Sequence, residues 1–262
     1  MSLSGKTLKA SYVDLLQIDN SNSGVDTNAR KIKDGGGGSS ALSISDDVVH
    51  IRPVNDDTTT ALSVRATNGD TVMKVDTTSQ LMYGSGNIVN TQYAYFGVSN
   101  AATAHLANNH HPIPFGSQYT NANITTYATF GTGTDPATTF TTAEGHGTRA
   151  SELVTVMWYV QDNISIDAVT SIEGADTATG DTTRMHLFSY DFTSGATSCL
   201  TNGTLLAHNS DVTNAGSEQP YSSSWTVDSG AVSSGKVILA FLRSDSVNSD
   251  YSINITVKYH LT

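Results

Sequence analysis

The end of the chain constrains the fold more than any other part of the sequence. Between Tyr251 and Leu261 every second residue is large and apolar, and the residues between them are polar. Because successive side chains of a β-strand point to opposite faces, this alternation predicts a strand with one face on a core and the other in water. The chain therefore contains at least one sheet that packs on an apolar layer.

Eight further segments of strand length precede this one. They are separated by long polar loops, and the arrangement predicts a β-sandwich of the jelly-roll class over residues 93–262. The predicted strands are Tyr93–Val98, Ile124–Phe130, Val154–Val160, Ile164–Ile172, Met185–Tyr190, Leu205–His208, Ser224–Val227 and Lys236–Arg243.

The composition also predicts an all-β fold. The 262 residues include 36 Thr and 32 Ser, whereas charged residues make up only 14%. Helical surfaces are usually built from Glu, Lys and Arg, while Thr, Ser, Asn and Gly fit strands and turns better. The formal net charge of -11 disfavours a nucleic-acid partner, because binding to phosphates requires clustered Lys and Arg.

The sequence gives no sign of secretion or of membrane insertion. Its one cysteine, Cys199, excludes an intramolecular disulfide and fits folding in a reducing cytosol. The N-terminal residues contain no apolar stretch typical of a signal peptide, and no apolar run approaches the roughly 18 residues that span a bilayer. We therefore expect no membrane partner.

The first 40 residues are expected to form a separate segment. The spacing of Leu8, Tyr12 and Leu15 is that of a short amphipathic helix, whereas an alternation through Val13 and Leu15 favours a strand nearly as well. Both interpretations stay open at this point. The run Gly35–Gly38 has the backbone freedom of a hinge, although it is also compatible with order where chains crowd an axis.

Residues 41–92 contain a weak internal repeat. Ala41–Ile44 recurs as Ala61–Val64, and each copy is followed by a polar turn and a second short strand. Asn68 and Gly69 lie between the two strands of the second copy and indicate a hairpin. Because a hairpin with so few apolar residues cannot bury enough surface alone, the repeat predicts burial against copies from other chains.

The segment from Ala61 to Thr78, ALSVRATNGDTVMKVDTT, resembles units in the shafts of tailed-bacteriophage fibre and appendage proteins. Those units consist of a strand, an Asn-Gly type turn and a second strand that ends in a Val-Asp-Thr-like step. The opening of the chain, from Tyr12 to Gly38 with Leu-Gln-Ile-Asp-Asn at 16–20, is similar to the starts of small virion proteins in phages of marine bacteria.

This resemblance implies a homotrimeric virion structural protein, a fibre-like appendage of the capsid (a decoration or head fibre) or of the tail. Residues 1–40 would attach it to the major capsid or tail protein. Residues 41–92 would form a short intertwined β shaft, and residues 93–262 a projecting β-sandwich head. Such a protein is assembled in the host cytoplasm, is not an enzyme, needs no cofactor, and contacts the host surface through its head.

Three histidines that lie close together in the sequence are candidates for metal ligands. His105, His110 and His111 lie close in sequence, and on a three-fold axis one imidazole from each chain supplies three ligands. However, adjacent histidines point apart on a strand, and no cysteine or carboxylate completes a known spacing. We expect histidines that are exposed or hydrogen-bonded in a polar loop, and no metal.

Acidic residues occur in pairs in several loops. Loop carboxylates on a β-sandwich can collect Ca²⁺, but none of these pairs matches an EF-hand loop. Since Asp is a good turn residue, turn formation and solubility are the expected roles. The pairs are Asp46 with Asp47, Asp56 with Asp57, Asp176 with Asp181, and Asp245 with Asp250.

No catalytic signature is present. The motifs G-x-S-x-G and H-E-x-x-H are missing, and Ser4–Thr7 lacks the upstream glycine and strand of a P-loop. Cys199 has no neighbouring base, so it is expected to be a small, partly buried residue and not a nucleophile.

Aromatic residues supply the remaining candidates for binding. Trp158 lies inside an apolar run and is assigned to the core, whereas Tyr221 and Trp225 flank a serine run and are the candidates for an exposed glycan-binding patch. Packing in the core or an interface is nevertheless the favoured interpretation for these two. A carbohydrate-binding receptor module is therefore the second hypothesis for the chain. A glycan depolymerase is the third, and it would need a cleft with paired carboxyl groups.

Overall fold

The structure is a computed structural model that describes residues 14–21, 23–98, 107–116, 130, 153–175, 180–196, 199–215, 219–245 and 251–262. Every secondary-structure element within these residues is a β-strand, which confirms the all-β prediction. The chain divides into two compact units, Met1–Val89 and Asn90–Thr262. The second unit begins at Asn90, whereas the sequence analysis placed the start of the head three residues later, at Tyr93.

The N-terminal unit contains two antiparallel four-stranded sheets, and in each sheet every strand pairs with the next strand along the chain. The first sheet consists of β1 (Gln17–Ile18), β2 (Arg30–Lys33), β3 (Ser39–Ile44) and β4 (Val49–Ile51). The second consists of β5 (Leu62–Arg65), β6 (Thr71–Asp76), β7 (Leu81–Gly84) and β8 (Asn87–Ile88).

Both copies of the repeat form hairpins, as predicted: β3 pairs with β4, and β5 pairs with β6. In the second hairpin, Ala66 N donates to the carbonyl oxygen of Asp70 at 2.8 Å and closes the turn. Gly69 adopts a φ of +92° there, which only glycine takes up without strain. The Asn68 amide donates to Asp70 Oδ2 at 2.6 Å. The local sequence alone therefore specifies this turn.

The glycine run forms a closed turn between β2 and β3. Asp34 N donates to the carbonyl oxygen of Gly38 at 2.9 Å, and Gly38 N donates to Asp34 Oδ1 at 2.7 Å. Gly37 adopts a φ of +92° in this turn, which glycine takes up without strain. The run is therefore an ordered turn within one chain, and neither a hinge nor crowding at an axis is needed to account for it. The run also leads directly into β3, which extends across the segment boundary drawn at residue 40.

The open question about the first segment is resolved only in part. Leu8, Tyr12 and Val13 lie outside the described residues. Leu15 and Leu16 are exposed and belong to no regular element, and β1 begins at Gln17.

The C-terminal unit is a β-sandwich, as predicted. Its strands are β9 (Thr91–Val98), β10 (His110–Ile113), β11 (Trp158–Tyr159), β12 (Ile164–Ala175), β13 (Thr182–Phe192), β14 (Leu200–His208), β15 (Val212–Thr213), β16 (Gln219–Ser224), β17 (Thr226–Val227), β18 (Ala231–Val232), β19 (Lys236–Ser244) and β20 (Tyr251–Leu261).

The strand order is that of a two-sheet jelly roll. One sheet has the order β16-β12-β20-β9 with β18 also on β12, and the other has the order β10-β19-β13-β14-β17 with β11 on β19 and β15 on β13. The first and last strands of the unit, β9 and β20, therefore lie side by side although they are far apart in sequence.

The main core lies between the two sheets. The alternating apolar residues of β20 from Tyr251 to Val257, from which this core was predicted, are all buried in it. Tyr259 and Leu261 pack against the core. A second buried cluster around Phe188 and Phe241 covers the opposite face of the seven-stranded sheet. Both faces of β19 are consequently buried, which explains why its sequence is a continuous apolar run without alternation.

Two predicted strands are wrong. Of Val154–Val160 only Trp158 and Tyr159 are in a strand, and the preceding residues form a turn that leaves Val154 exposed. Ser224–Val227 is not one strand, because the chain leaves β16 at Ser224 and enters β17 of the other sheet at Thr226. Of Ile124–Phe130, only Phe130 lies within the described residues, and it is buried outside any strand.

Candidate functional site

Each sheet of the N-terminal unit has one face rich in apolar side chains. In antiparallel pairs, residues directly opposite each other share a face. The register also places Arg30 opposite Ile44 on the first of these faces, and it shifts between Lys31 and Lys33. The first apolar face consists of Ile18, Ile32, Leu42, Ile44, Val49 and Ile51. The second apolar face consists of Leu62, Val64, Met73, Val75 and Met82.

None of these eleven side chains is buried. Val49 is 64% exposed and Val64 is 46% exposed. Within the described residues, the first apolar residue of the chain that is buried is Ala94, which already belongs to the C-terminal unit. Among residues 14–21 and 23–89, the N-terminal unit thus has eight strands and no buried apolar side chain, and exposed apolar surface of this kind is typical of an interaction surface.

The opposite side of the second sheet is mixed in character, because Leu81 and Ile88 lie on it together with polar residues. Ser63, Lys74 and Tyr83 lie next to each other there across β5, β6 and β7, and Lys74 Nζ lies 4.4 Å from the centre of the Tyr83 ring. The second apolar face is therefore the more apolar of the two sides and the one that suits a protein partner.

The C-terminal unit has a groove of about 280 Å³ at the end of the sandwich where β9 begins and β20 ends. Four aromatic residues contribute to its lining, together with three residues that carry amide or carboxyl groups. They are Phe115, Trp158, Tyr159 and Tyr259, and Gln92, Gln161 and Asp162.

Ring contacts hold the aromatic residues of the groove in place. The rings of Phe115 and Trp158 are stacked in parallel with centroids 5.7 Å apart, and the Tyr259 ring packs against Trp158 at 5.0 Å. The Tyr259 hydroxyl donates to Gln92 Oε1 at 2.9 Å, and desolvation raises the pKa of this tyrosine. Tyr159 is 51% exposed. The groove therefore combines apolar ring faces with polar side chains, which suits a ligand that has both characters.

The structure separates the three aromatic residues that the sequence singled out. Trp158 is buried, which confirms its assignment to the core, although its ring also contributes to the groove. Trp225, a predicted glycan contact, is buried and donates from Nε1 to Ser171 Oγ at 2.9 Å, so the prediction of an exposed patch there is wrong. Tyr221 is half-buried, and its hydroxyl donates to Gln219 Oε1 and accepts from Ala215 N.

The histidine candidates do not form the group that the sequence suggested. His105 lies outside the described residues, whereas His110 and His111 are in β10 and are buried, not exposed in a polar loop. His110 Nε2 lies 3.1 Å from Nδ1 of His186 in β13. This partner is 76 positions away in sequence, so no local motif indicates it.

The acidic loops show the expected turn chemistry where they are described. Asp245 Oδ1 accepts a hydrogen bond from Thr182 N at 2.7 Å, and Asp46, Asp47, Asp56 and Asp57 are exposed. Asp176 and Asp250 lie outside the described residues. Within the part of the chain that the structure describes, no three His, Cys, Asp or Glu residues come together as metal ligands. Cys199 is a free, half-buried thiol, as expected.

Sequence reasoning missed Glu173, a carboxyl group buried in the sandwich. Desolvation raises its pKa from 4.5 to about 7, although hydrogen bonds from Thr183 and Ser223 oppose the shift. Thr183 Oγ1 donates to Oε2 at 2.9 Å, and Asn209 Nδ2 lies 3.4 Å from Oε1. Glu173 lies two residues after Ser171 and therefore on the same inward face of β12. This position can be recognised only once the strand register is known.

Comparisons with known proteins add little to this description. No protein-family model matches the chain, and no curated protein matches it. Among solved structures, the chain is similar to the Eiger TNF from S. frugiperda, with 11% sequence identity, 66% of this chain and 94% of that chain covered, and a TM-score of 0.33. At this level the likeness supports no inference about what the chain does. Within the described residues, no helix is long and apolar enough to cross a membrane.

Proposed function

We propose that this chain is a non-enzymatic structural protein of a tailed-bacteriophage virion, where three copies form a fibre-like appendage on the capsid or the tail. The observation that carries the proposal is the pair of unburied apolar faces in the N-terminal unit. The resemblance of Ala61–Thr78 to phage shaft units supports the same conclusion.

Copies of the same chain are the partner that these faces suit best. A strand layer without a core is not stable in water by itself, and each fully buried Val, Leu, Ile or Met side chain contributes roughly 1.5–3 kcal/mol. Cyclic assembly about an axis gives every chain the same environment and covers both faces along the length of the unit. The number three comes from the resemblance to phage shafts.

The remaining parts of the chain take roles in this assembly. Residues 1–40 attach the trimer to the major capsid or tail protein, and the jelly-roll unit projects toward the host surface. The protein is made in the host cytoplasm and resides in the virion. The groove supports a role without hydrolysis, because Asp162 is the single carboxylate in its described lining, whereas glycosidases generally use two.

The native mass of the full-length protein tests the proposal. Light scattering behind size exclusion is expected to give three times the chain mass of 27.6 kDa. The mass should not change on dilution through the micromolar range, since many apolar side chains per chain would be covered. A monomer at every concentration would contradict the assignment of the N-terminal unit as a self-assembling shaft.

A second candidate function is recognition of host glycans, and the groove favours it. Sugar rings carry apolar faces that stack on aromatic rings and hydroxyl groups that bond to amides and carboxylates. The groove offers Tyr159 and Tyr259 for the first kind of contact and Gln92 and Asp162 for the second. This location replaces Tyr221 and Trp225 as the candidate site.

Replacing Tyr159 by alanine tests this second function. We expect wild-type protein to bind members of an array of bacterial surface oligosaccharides, and Tyr159→Ala to bind them about two- to twelvefold more weakly, from the roughly 0.5–1.5 kcal/mol of an aromatic contact. The control is Tyr93→Ala, which removes a tyrosine that is 53% exposed and does not line the groove. Equal loss in both variants, or no binding by the wild type, would argue against a glycan site in the groove.

A further inference from the structure

The described lining of the groove contains one charged side chain, the carboxylate of Asp162. Asp162 is exposed and lies in the segment between β11 and β12. Within the part of the chain that the structure describes, this carboxylate has neither an ion pair nor a hydrogen bond. A ligand in the groove would therefore meet an acid that no group of the protein neutralises.

The other described acidic side chains of the C-terminal unit have partners within the chain. Four of them contact basic side chains and two accept hydrogen bonds from threonines: Asp167 contacts His260, Asp191 Lys236, Asp211 Arg184 and Asp228 His208, whereas Glu173 accepts from Thr183 Oγ1 and Asp245 from Thr182 N. Asp181 also has an interaction partner. Among these carboxylates, Asp162 is thus the one that is available to a group from outside the chain.

The groove offers nothing to a negatively charged ligand. No Lys, Arg or His is among the described residues that line it. Lys236, whose carbonyl oxygen accepts from Val160 N, directs its Nζ to Asp191 Oδ1 at 2.5 Å. A carboxylate, sulfate or phosphate on a sugar would find no positive partner in this lining, and the net charge of -11 would repel it as well. The groove therefore disfavours acidic glycans.

We propose that the groove recognises sugars that carry a free amino group, and that Asp162 determines this specificity. The inference rests on glycan recognition as the function of the groove. A protonated amine makes a charge-assisted hydrogen bond to a carboxylate, and aromatic ring faces attract cations too. The half-buried rings of Phe115 and Tyr259 line the same groove. An N-acetylated sugar lacks the positive charge and loses both contributions.

Calorimetry with oligosaccharides of equal length tests this specificity on the full-length protein. The probes are pentamers of glucosamine, of N-acetylglucosamine and of galacturonate, at low ionic strength and at pH 5.5, where the amines are protonated. We expect the wild type to bind the glucosamine pentamer about fivefold more tightly than the N-acetylated one, as for a favourable exposed ion pair. The galacturonate pentamer should bind most weakly, and added salt should reduce these differences.

Replacing Asp162 by asparagine removes the charge and keeps the size of the side chain. Asp162→Asn should bind the glucosamine and N-acetylglucosamine pentamers equally. The control is Asp56→Asn, which removes the same charge from an exposed position of the N-terminal unit and should keep the preference of the wild type. A preference that persists in Asp162→Asn, or that both variants lose, would overturn the role of Asp162.

The outcomes separate this inference from glycan recognition itself. If neutral or acidic oligosaccharides bind while the glucosamine pentamer binds no better than its N-acetylated counterpart, the specificity is wrong and the glycan site stands. If no oligosaccharide binds, in this experiment or on the array, both proposals fail.

Discussion

A protein in which Val64 and Met73 are both replaced by aspartate is expected to be a monomer of 27.6 kDa. The two residues face each other directly across β5 and β6, at the centre of the second apolar face. In the proposed trimer they are covered by neighbouring chains, so the variant would place six carboxylates in an apolar interface. Light scattering would measure the loss of the trimer.

The expected effect is large because two unfavourable changes add up. Each chain loses the burial of two apolar side chains, which contributes about 1.5–3 kcal/mol per residue. In addition, a carboxylate without a partner is strongly disfavoured in an apolar environment. Three chains bear this change at once, so the trimer should not form at micromolar concentration. The jelly-roll unit has its own core and should keep its fold.

The neighbouring pair of residues on the same two strands provides the control. Ser63 and Lys74 also face each other across β5 and β6, but on the opposite side of the sheet. Ser63→Asp with Lys74→Asp introduces two carboxylates into the same strands and also removes an ammonium group, so its charge change is one unit larger, and it should still leave the trimer intact. If this variant dissociates as fully as the first one, the effect is one of charge or strand propensity and not of the apolar face.

Local signals in the sequence were sufficient for the parts of the fold that depend on neighbours in the chain. The Asn68-Gly69 turn is closed by residues within five positions, and the alternation of β20 follows from one strand facing a core. The exposed apolar faces were also foreseeable, because the strands of the repeat carry too few apolar residues to form a core.

Long-range pairing accounts for what the sequence did not indicate. Val154–Val160 is apolar, yet only its last part pairs with β19, because the turn at Leu153–Val156 directs the side chain of Val156 into the second core cluster. The serines before Trp225 suggested that this residue is exposed. Instead, the chain passes from one sheet to the other at Trp225, and the ring packs in the core. The groove joins residues from Gln92 to Leu261, which no local motif connects.

Replacing Glu173 by glutamine is expected to stabilise the C-terminal unit at pH 8 and to have little effect at pH 5. The folded-state pKa of about 7 lies above the ordinary value of 4.5, so the folded unit binds more protons than the unfolded chain between these values. Stability therefore falls as pH rises from 4.5 to 7 and stays reduced above pH 7. The difference corresponds to about 3 kcal/mol, at roughly 1.4 kcal/mol per pKa unit.

Tryptophan fluorescence isolates this effect, because Trp158 and Trp225 are the two tryptophans of the chain and both lie in the C-terminal unit. At pH 8, Glu173→Gln should melt roughly 6–12 °C above the wild type, at about 2–4 °C per kcal/mol. The exposed Asp162→Asn variant should match the wild type at both pH values. A wild-type melting temperature that does not fall between pH 5 and pH 8, with no gain for Glu173→Gln, would mean that water reaches this carboxyl and keeps it ionised. The expected fall would show that the sandwich holds a buried acid whose ionised form is disfavoured by desolvation, although Thr183 and Asn209 bond to it.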